Sequence, residues 1–156
     1  MKYQLGLLIL LLFIASCATQ DICDDDSQSY LVARFKTLED GSINDTIMDG
    51  MSIYGIREGK ADSLLYDSLS MSVVELPLDP NNESSKFVLS NEVRQDTLLL
   101  SYRSEAYLIS YTCGFAARFT LEQFTNSGSW VSDMQMIEGE IDAELEINEE
   151  HLWIYF

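Results

Sequence analysis

The chain has 156 residues, of which 26 are Asp or Glu and 9 are Lys or Arg, so its formal net charge is −17 at pH 7. This charge repels a phosphate backbone and argues against nucleic-acid binding. One His and three Cys are too few for most zinc or haem sites, so no cofactor is expected. The hydrophobic fraction of 47% is too high for a disordered acidic chain, and the length predicts one packed domain.

The N-terminal residues have the layout of an export signal. Residues 5–14 form an almost unbroken apolar run, which is too short for a membrane span of roughly 20 residues. The four residues that end at Cys17, IASC, resemble the bacterial lipobox, in which a peptidase cuts before the Cys. The resemblance implies that residues 1–16 are a lipoprotein signal peptide and that Cys17 becomes the lipidated N-terminus. An ordinary secretory signal and an uncleaved anchor are the alternatives.

Two cysteines remain once Cys17 carries lipid. An exported protein meets an oxidising compartment, where Cys23 and Cys113 would tend to pair. Such a bridge closes a loop of about 90 residues and is worth roughly 4–5 kcal/mol in the chain-entropy model. The alternative is two buried free thiols, which are common in protein cores.

From residue 30 onward the chain consists of short β-type segments separated by turns. The predicted strands cover residues 30–37, 51–56, 70–78, 86–90, 97–103, 106–112, 116–124, 130–137, 140–147 and 151–156. Many short strands at even spacing predict an all-β fold, a single antiparallel β-sandwich that is Ig-like or similar. The domain is expected over residues 30–156, after an acidic tether at residues 17–29. Residues 62–69 are compatible with one or two helical turns.

The predicted strand at residues 140–147 alternates strictly between acidic and apolar side chains. Its predicted solvent-exposed face carries a row of four carboxylates, namely Glu140, Asp142, Glu144 and Glu146. Carboxylates two residues apart on a strand are roughly 6.5–7 Å apart, so a Ca²⁺ ion would need further ligands from elsewhere. These four are therefore weak metal candidates. The other interpretations are a solvated or edge-protecting face and a surface for a basic partner.

No residue is predicted to be catalytic. His151 is the only histidine, and we expect it at the surface just before the last strand. A Ser-His-Asp triad would need a nucleophile elbow of the form G-x-S-x-G, which the sequence lacks. A hydrolase that uses two carboxylates is a distant alternative, because with 26 acidic residues some pair will always have suitable spacing.

The arrangement of motifs resembles a family of small Bacteroidota lipoproteins of unknown function. A lipobox Cys is followed by a second Cys within a few residues, and a closing strand ends the chain. Three further segments carry the resemblance, namely VVELPL at residues 73–78, DTLLLSY at residues 96–102 and ISYTCG at residues 109–114. The resemblance implies a lipid anchor on Cys17, a β-rich domain and a Cys23–Cys113 pair. It implies no catalytic residue.

Two short patterns bear on where the protein is exported. The acidic triplet at residues 24–26 resembles the surface-export signal of that phylum, but it begins seven residues after Cys17, later than is usual. We therefore expect the periplasmic side of the outer membrane rather than the cell surface. Four Asp-Ser/Thr-apolar triplets, which begin at Asp45, Asp62, Asp67 and Asp96, resemble O-glycosylation sites of exported Bacteroidota proteins and suggest surface loops.

These features predict a lipid-anchored protein of the cell envelope with a non-enzymatic binding or structural role. Its expected partners are the membrane, through the N-terminal lipid, and an envelope protein or glycan. The alternative is a surface-exposed module that binds a glycan or Ca²⁺ through the acidic strand face.

Overall fold

Every regular element in the described part of the chain is a β-strand. The computed structural model describes residues 28–57, 59–143 and 149–156, and no helix occurs among them. Accordingly, these ranges contain no helix long and apolar enough to cross a membrane. The predicted all-β class is confirmed, because two largely antiparallel sheets pack together as a β-sandwich.

Eleven strands follow one another along the described residues. They are β1 (Tyr30–Glu39), β2 (Ser42–Asp45), β3 (Met48–Ile56), β4 (Ser63–Met71), β5 (Val73–Pro77), β6 (Ser84–Ser90), β7 (Gln95–Ser110), β8 (Gly114–Asn126), β9 (Asp133–Met136), β10 (Glu140–Ile141) and β11 (Leu152–Tyr155).

The first sheet is organised around β1. Along one edge β1 pairs in parallel with β11, and β11 in turn pairs with β9. Along the other edge the first half of β1 pairs with β5 and the second half with β2. β1 lies in the interior of the sheet, and half of its ten residues are buried.

The second sheet has six strands in the order β10-β8-β7-β6-β3-β4. Its largest unit is the hairpin of β7 and β8, which pair from Leu98 with Asn126 to Ser110 with Gly114. Gly114 has a φ of +79°, a left-handed conformation that glycine adopts without the steric cost of a Cβ. At the opposite edge, β4 pairs with β3 through several register shifts.

The inner faces of the two sheets share one core. Leu31, Ala33 and Phe35 of β1 are fully buried and belong to the same cluster as side chains of the second sheet. Within that cluster Tyr102 and Phe119 meet edge to face, with ring centroids 5.2 Å apart. Burying a large apolar side chain of this kind stabilises the fold by about 1.5–3 kcal/mol. Packing between the sheets is therefore the main source of stability.

The observed strands differ from the predicted ones in four places. Residues 62–69 are not helical but lie mostly in β4, an edge strand whose many exposed side chains hide the period-two pattern. The predicted strands at 97–103 and 106–112 are one strand, β7, because β8 pairs with it throughout. The short strand β2 was not predicted. At residues 140–147 only Glu140–Ile141 pair with β8, and residues 144–148 lie outside the described ranges.

Candidate functional site

An open cleft lies where the chain crosses from the first sheet to the second. After β5 the chain runs through residues 78–83 and enters β6. The cleft has a volume of about 740 Å³ and lies between this connection, the end of β3 and the start of β4. Clefts of roughly 300–1,000 Å³ hold small ligands in proteins.

One buried tyrosine fixes the wall formed by the β5–β6 connection. The hydroxyl of Tyr102 donates to the carbonyl of Asp79 at 3.1 Å and accepts from the Asp79 backbone N–H at 3.0 Å. Ser85 Oγ, 2.7 Å from the same hydroxyl, completes the group. Burial raises the pKa of the Tyr102 hydroxyl above its ordinary value, so the phenol stays neutral.

The carboxylate of Asp79 shapes the turn that follows. It accepts hydrogen bonds from the backbone N–H of Asn81 at 2.9 Å and from Asn82 Nδ2 at 2.8 Å. The backbone hydrogen bond from Asn81 is the largest cause that lowers the pKa of Asp79, and the Asn82 side chain and the charge of Lys60 act in the same direction. Asp79 is thus an ionised carboxylate occupied in holding a turn.

Three cationic side chains line the cleft. Arg57 and Lys60 belong to the β3–β4 connection, and Lys86 lies on β6, where it pairs with Ile56 across the strands. The Arg57 guanidinium donates to Ser63 Oγ, which fixes it at the start of β4. Asp79 is the single carboxylate among the described lining residues. The described lining therefore has more positive than negative charge, in a chain whose net charge is −17.

The apolar part of the cleft lies beside a glycine. Gly55 on β3 lies against Phe87 and Leu65, and a Cβ added there would be 3.8 Å from the Phe87 ring and 3.9 Å from a Leu65 methyl. These are ordinary van der Waals distances. The cleft therefore combines an apolar surface with a cationic one.

A smaller cleft of about 360 Å³ shares Gln28, Leu78 and Pro80 with the first. Its lining is mainly apolar and includes Phe115 of β8, which is 70% exposed. No charged residue belongs to the lining described for it.

Most of the residues predicted to be functional from the sequence lie elsewhere. Cys17 and Cys23 fall outside the described residues, so their predicted lipidation and pairing stay predictions. Cys113 lies in the turn between β7 and β8, and its backbone N–H donates to Ser110 Oγ at 3.0 Å.

Of the four carboxylates predicted as weak metal candidates, only Glu140 and Asp142 can be placed, because Glu144 and Glu146 also lie outside the described residues. Glu140 accepts a hydrogen bond from Thr120 Oγ1 at 3.2 Å, and Asp142 forms an ion pair with Arg118 at 3.5 Å. Within the described ranges, no group of three or more His, Cys, Asp and Glu side chains is placed to hold a metal ion.

The expectation that His151 lies at the surface is wrong, because the side chain is fully buried. Its Nδ1 accepts a hydrogen bond from the Val32 backbone N–H at 2.9 Å, and Nε2 lies 3.3 Å from Glu149 Oε1. Burial lowers the pKa of His151, while the charge of Glu149 acts in the opposite direction. The only histidine of the chain is therefore part of the contact between β1 and the start of β11.

Asp96 is a buried carboxylate that the sequence analysis missed. Its Oδ1 accepts hydrogen bonds from Thr97 N at 2.8 Å, from Ser127 N at 2.9 Å and from Ser127 Oγ. Its Oδ2 accepts from the backbone N–H groups of Ser129, Trp130 and Val131 at 2.8–3.0 Å. The suggestion that the triplet beginning at Asp96 is a surface loop is wrong, because it lies within β7 with Asp96 buried.

The environment of Asp96 favours its charged form. Burial raises the pKa of this carboxyl, but the hydrogen bonds from Ser127, Trp130, Val131 and Thr97 outweigh it and lower the pKa to about 2. Asp96 therefore stabilises the loop between β8 and β9.

The cleft residues were also missed, although one signal was present. Arg57 and Lys60 are close together in an acidic chain, but Glu58 and Asp62 lie beside them, so this signal is weak. The contributions of β6 and the β5–β6 connection come from distant parts of the sequence, and their spacing shows no motif.

The fold and the cleft define a small all-β domain, a two-sheet sandwich with a ligand-sized cleft at the crossing between its sheets. The chain belongs to a family of unknown function (DUF6452), whose family model matches residues 50–156. All lining residues of the large cleft except Gln28 fall in that range. No curated protein and no solved structure matches the chain. The expectation of a family of unknown function is thus confirmed.

Proposed function

We propose that this protein is a non-enzymatic binding module of the cell envelope and that its ligand occupies the large cleft. The observation that carries the proposal is the cleft itself, about 740 Å³ of open space against a fixed wall. The Tyr102–Asp79–Ser85 hydrogen bonds, all made within the chain, hold that wall. A preformed cleft lowers the entropic cost of binding.

The chemistry of the described residues supports binding rather than catalysis. The histidine is buried between β1 and Glu149, where it accepts a backbone hydrogen bond. Asp96, the carboxylate with a pKa lowered to about 2, is enclosed by six hydrogen bonds and faces a loop. Both of these groups with shifted pKa values are thus used in the fold, and neither lines the large cleft.

The module is tethered by a lipid on Cys17, as in the small Bacteroidota lipoproteins that the sequence resembles. The lipobox-like residues before Cys17 support this anchor, and the late position of the acidic triplet supports the periplasmic side of the outer membrane. A Cys23–Cys113 disulfide would join the tether to the turn between β7 and β8.

Mass spectrometry of the protein purified from its host tests the anchor and the disulfide. We expect an intact mass that begins at a lipidated Cys17 and gains two hydrogens on reduction. A lipid-free mass that begins elsewhere would overturn the anchor. A mass unchanged by reduction would overturn the disulfide, and neither result would affect the cleft.

Native mass spectrometry of the same preparation tests the binding function. We expect a small-molecule adduct that is lost on denaturation and released unchanged. Ser84→Trp places a large ring on an exposed lining position and should abolish the adduct. Ser70→Trp, at an exposed position of β4 outside the cleft lining, should keep it. An adduct that is equally strong in both variants, or chemically converted by the protein, would contradict the proposal.

A further inference from the structure

We infer that the cleft selects a small molecule that carries an oxyanion, a carboxylate or a phosphate, on an apolar body. This inference rests on the proposed binding function and names the chemical class of its ligand. Its basis is the joint presence of Arg57, Lys60 and Lys86 around an apolar surface in a strongly acidic protein.

The cations of the cleft differ from most others in the chain. Four of the five other described cations are paired with carboxylates, in the pairs Arg34–Asp45, Arg34–Glu150, Lys36–Asp45, Arg103–Glu122 and Arg118–Asp142, and Arg94 is the exception. Among the described residues, no ion pair within 4 Å involves Arg57, Lys60 or Lys86. Within the described part of the chain, these three charges are therefore not neutralised by a close ion pair, and only that of Lys60 acts on a lining carboxylate, Asp79.

The carboxylate of Asp79 does not bind these cations as an anionic ligand would. Its oxygens accept hydrogen bonds from Asn81 and Asn82, which direct it into its own turn. Two guanidinium or ammonium groups on one side of a cleft can bind a carboxylate or phosphate through charge-assisted hydrogen bonds. Arg57, already fixed by Ser63, is placed to provide the directional part of such a site.

The apolar surface defines the rest of the ligand. Leu65, which is half-buried, and Leu99, which is 37% exposed, give the cleft an accessible apolar surface. An apolar group of the ligand would lie on this surface while its anion is directed toward the β3–β4 connection.

The charge of the whole protein restricts the ligand to a small molecule. A net charge of −17 repels extended polyanions, whereas a local cationic cleft attracts a small anion over a short distance. The cleft volume of about 740 Å³ agrees with this size.

The test uses four probes that share one ring, namely phenyl phosphate, benzoate, benzyl alcohol and benzylamine, titrated into the full chain in a mild non-ionic detergent by calorimetry. We expect the two anions to bind at least tenfold more tightly than the alcohol and the amine. Comparison of phenyl phosphate with benzoate distinguishes a phosphate ligand from a carboxylate ligand.

Charge-removing variants locate the site. The double variant R57Q/K60Q should weaken the preferred anion at least tenfold and leave benzyl alcohol unchanged. Arg94→Gln is the matched control, because Arg94 is an exposed cation in the β6–β7 connection outside the cleft lining. A double variant that binds the anion as the wild type does, or an Arg94→Gln variant that weakens it equally, would overturn the inference.

The outcomes separate this inference from the proposed function. Equal affinities for the four probes, all reduced by Ser84→Trp, would overturn the preference for anions but would still support the proposed binding function. No binding by any probe, with an adduct still present on the protein from the host, would also overturn the preference for anions alone. If no probe binds and the protein from the host carries no adduct, both the preference for anions and the proposed binding function are overturned.

Discussion

The backbone N–H of Val32 donates to Nδ1 of His151 at 2.9 Å, across 119 positions of the chain. The carbonyl of Val32 in turn accepts from the backbone N–H of His151 at 2.9 Å. Since Nδ1 is an acceptor, the neutral imidazole carries its hydrogen on Nε2, toward Glu149. A second proton on the ring would remove the acceptor for Val32.

The protein is therefore expected to lose stability as the pH falls below the ordinary histidine pKa of 6.5. Burial lowers the pKa of folded His151, although the charges of Glu149, Glu138 and Asp142 oppose this effect. The unfolded chain then takes up the proton at a higher pH than the folded one. The free energy of unfolding therefore falls by up to about 1.4 kcal/mol for each unit by which the pH is lowered. Urea unfolding between pH 7.5 and pH 5 measures this slope.

His151→Asn is the matching variant, because its amide oxygen can replace Nδ1 as an acceptor without titrating. We expect a lower free energy of unfolding at pH 7.5 but a flatter dependence on pH than in the wild type. Parallel slopes for the two proteins would contradict the role given to His151.

Asp96→Asn should reduce the free energy of unfolding at pH 7 by about 2–4 kcal/mol. The neutral amide replaces one accepting oxygen by a donor, which would face the backbone N–H groups that now surround the carboxylate. Chemical unfolding at pH 7 measures the loss. Asp67→Asn, at an exposed position of β4, is the control and should change the stability by less than about 0.5 kcal/mol.

Acid should remove the same stabilisation from the wild type. The pKa of Asp96 is lowered from 3.8 to about 2, so its contribution of about 2 kcal/mol is present above pH 4 and lost as the pH falls toward 2. The difference in stability between wild type and Asp96→Asn should shrink over that interval. A constant difference would show that the charge of Asp96 is not responsible.

Tyr102→Phe should destabilise the protein by about 1–3 kcal/mol, because it leaves the part-buried N–H and C=O of Asp79 without the hydroxyl of a buried ring. Tyr66 makes the same pair of bonds to the backbone of Glu75, at 3.0 and 3.1 Å, but at an exposed site. Water can replace that hydroxyl, so Tyr66→Phe should cost less than about 1 kcal/mol. Thermal unfolding of the two variants compares them directly, and equal losses would contradict the argument.

Gly114→Ala should cost about 1–2 kcal/mol, since an L-residue is strained at a φ of +79°. No atom beyond its chain neighbours lies within 4 Å of the added Cβ, so the cost is that of the backbone alone. Gly55→Ala is the control, because Gly55 is not at positive φ and the new methyl would make ordinary contacts. Melting temperatures should fall for the first variant only.

The local part of the fold was predictable from the sequence. Segments rich in β-branched, aromatic and other apolar residues, separated by turn residues, located β1, β6 and β8 to within two residues. The same pattern failed at β4, whose position at the sheet edge leaves many of its side chains exposed.

The site was not predictable for a related reason. Asp96 and His151 have partners 31–35 and 119 positions away, so their burial follows from the tertiary structure rather than from their neighbours in sequence. The large cleft likewise draws on residues from Gln28 to Leu99. Hydrophobic periodicity carries no information on which loops meet.

The parallel pairing of β1 with β11 also governs when the protein can fold. Leu152–Tyr155 provides a neighbour for β1 and the only strand partner of β9 among the described residues, so the first sheet is incomplete until this segment has left the ribosome. At about 5–20 residues per second, β1 therefore waits for some seconds before its parallel partner emerges. Removal of residues 152–156 should leave the first sheet unfinished and the protein a substrate for proteases.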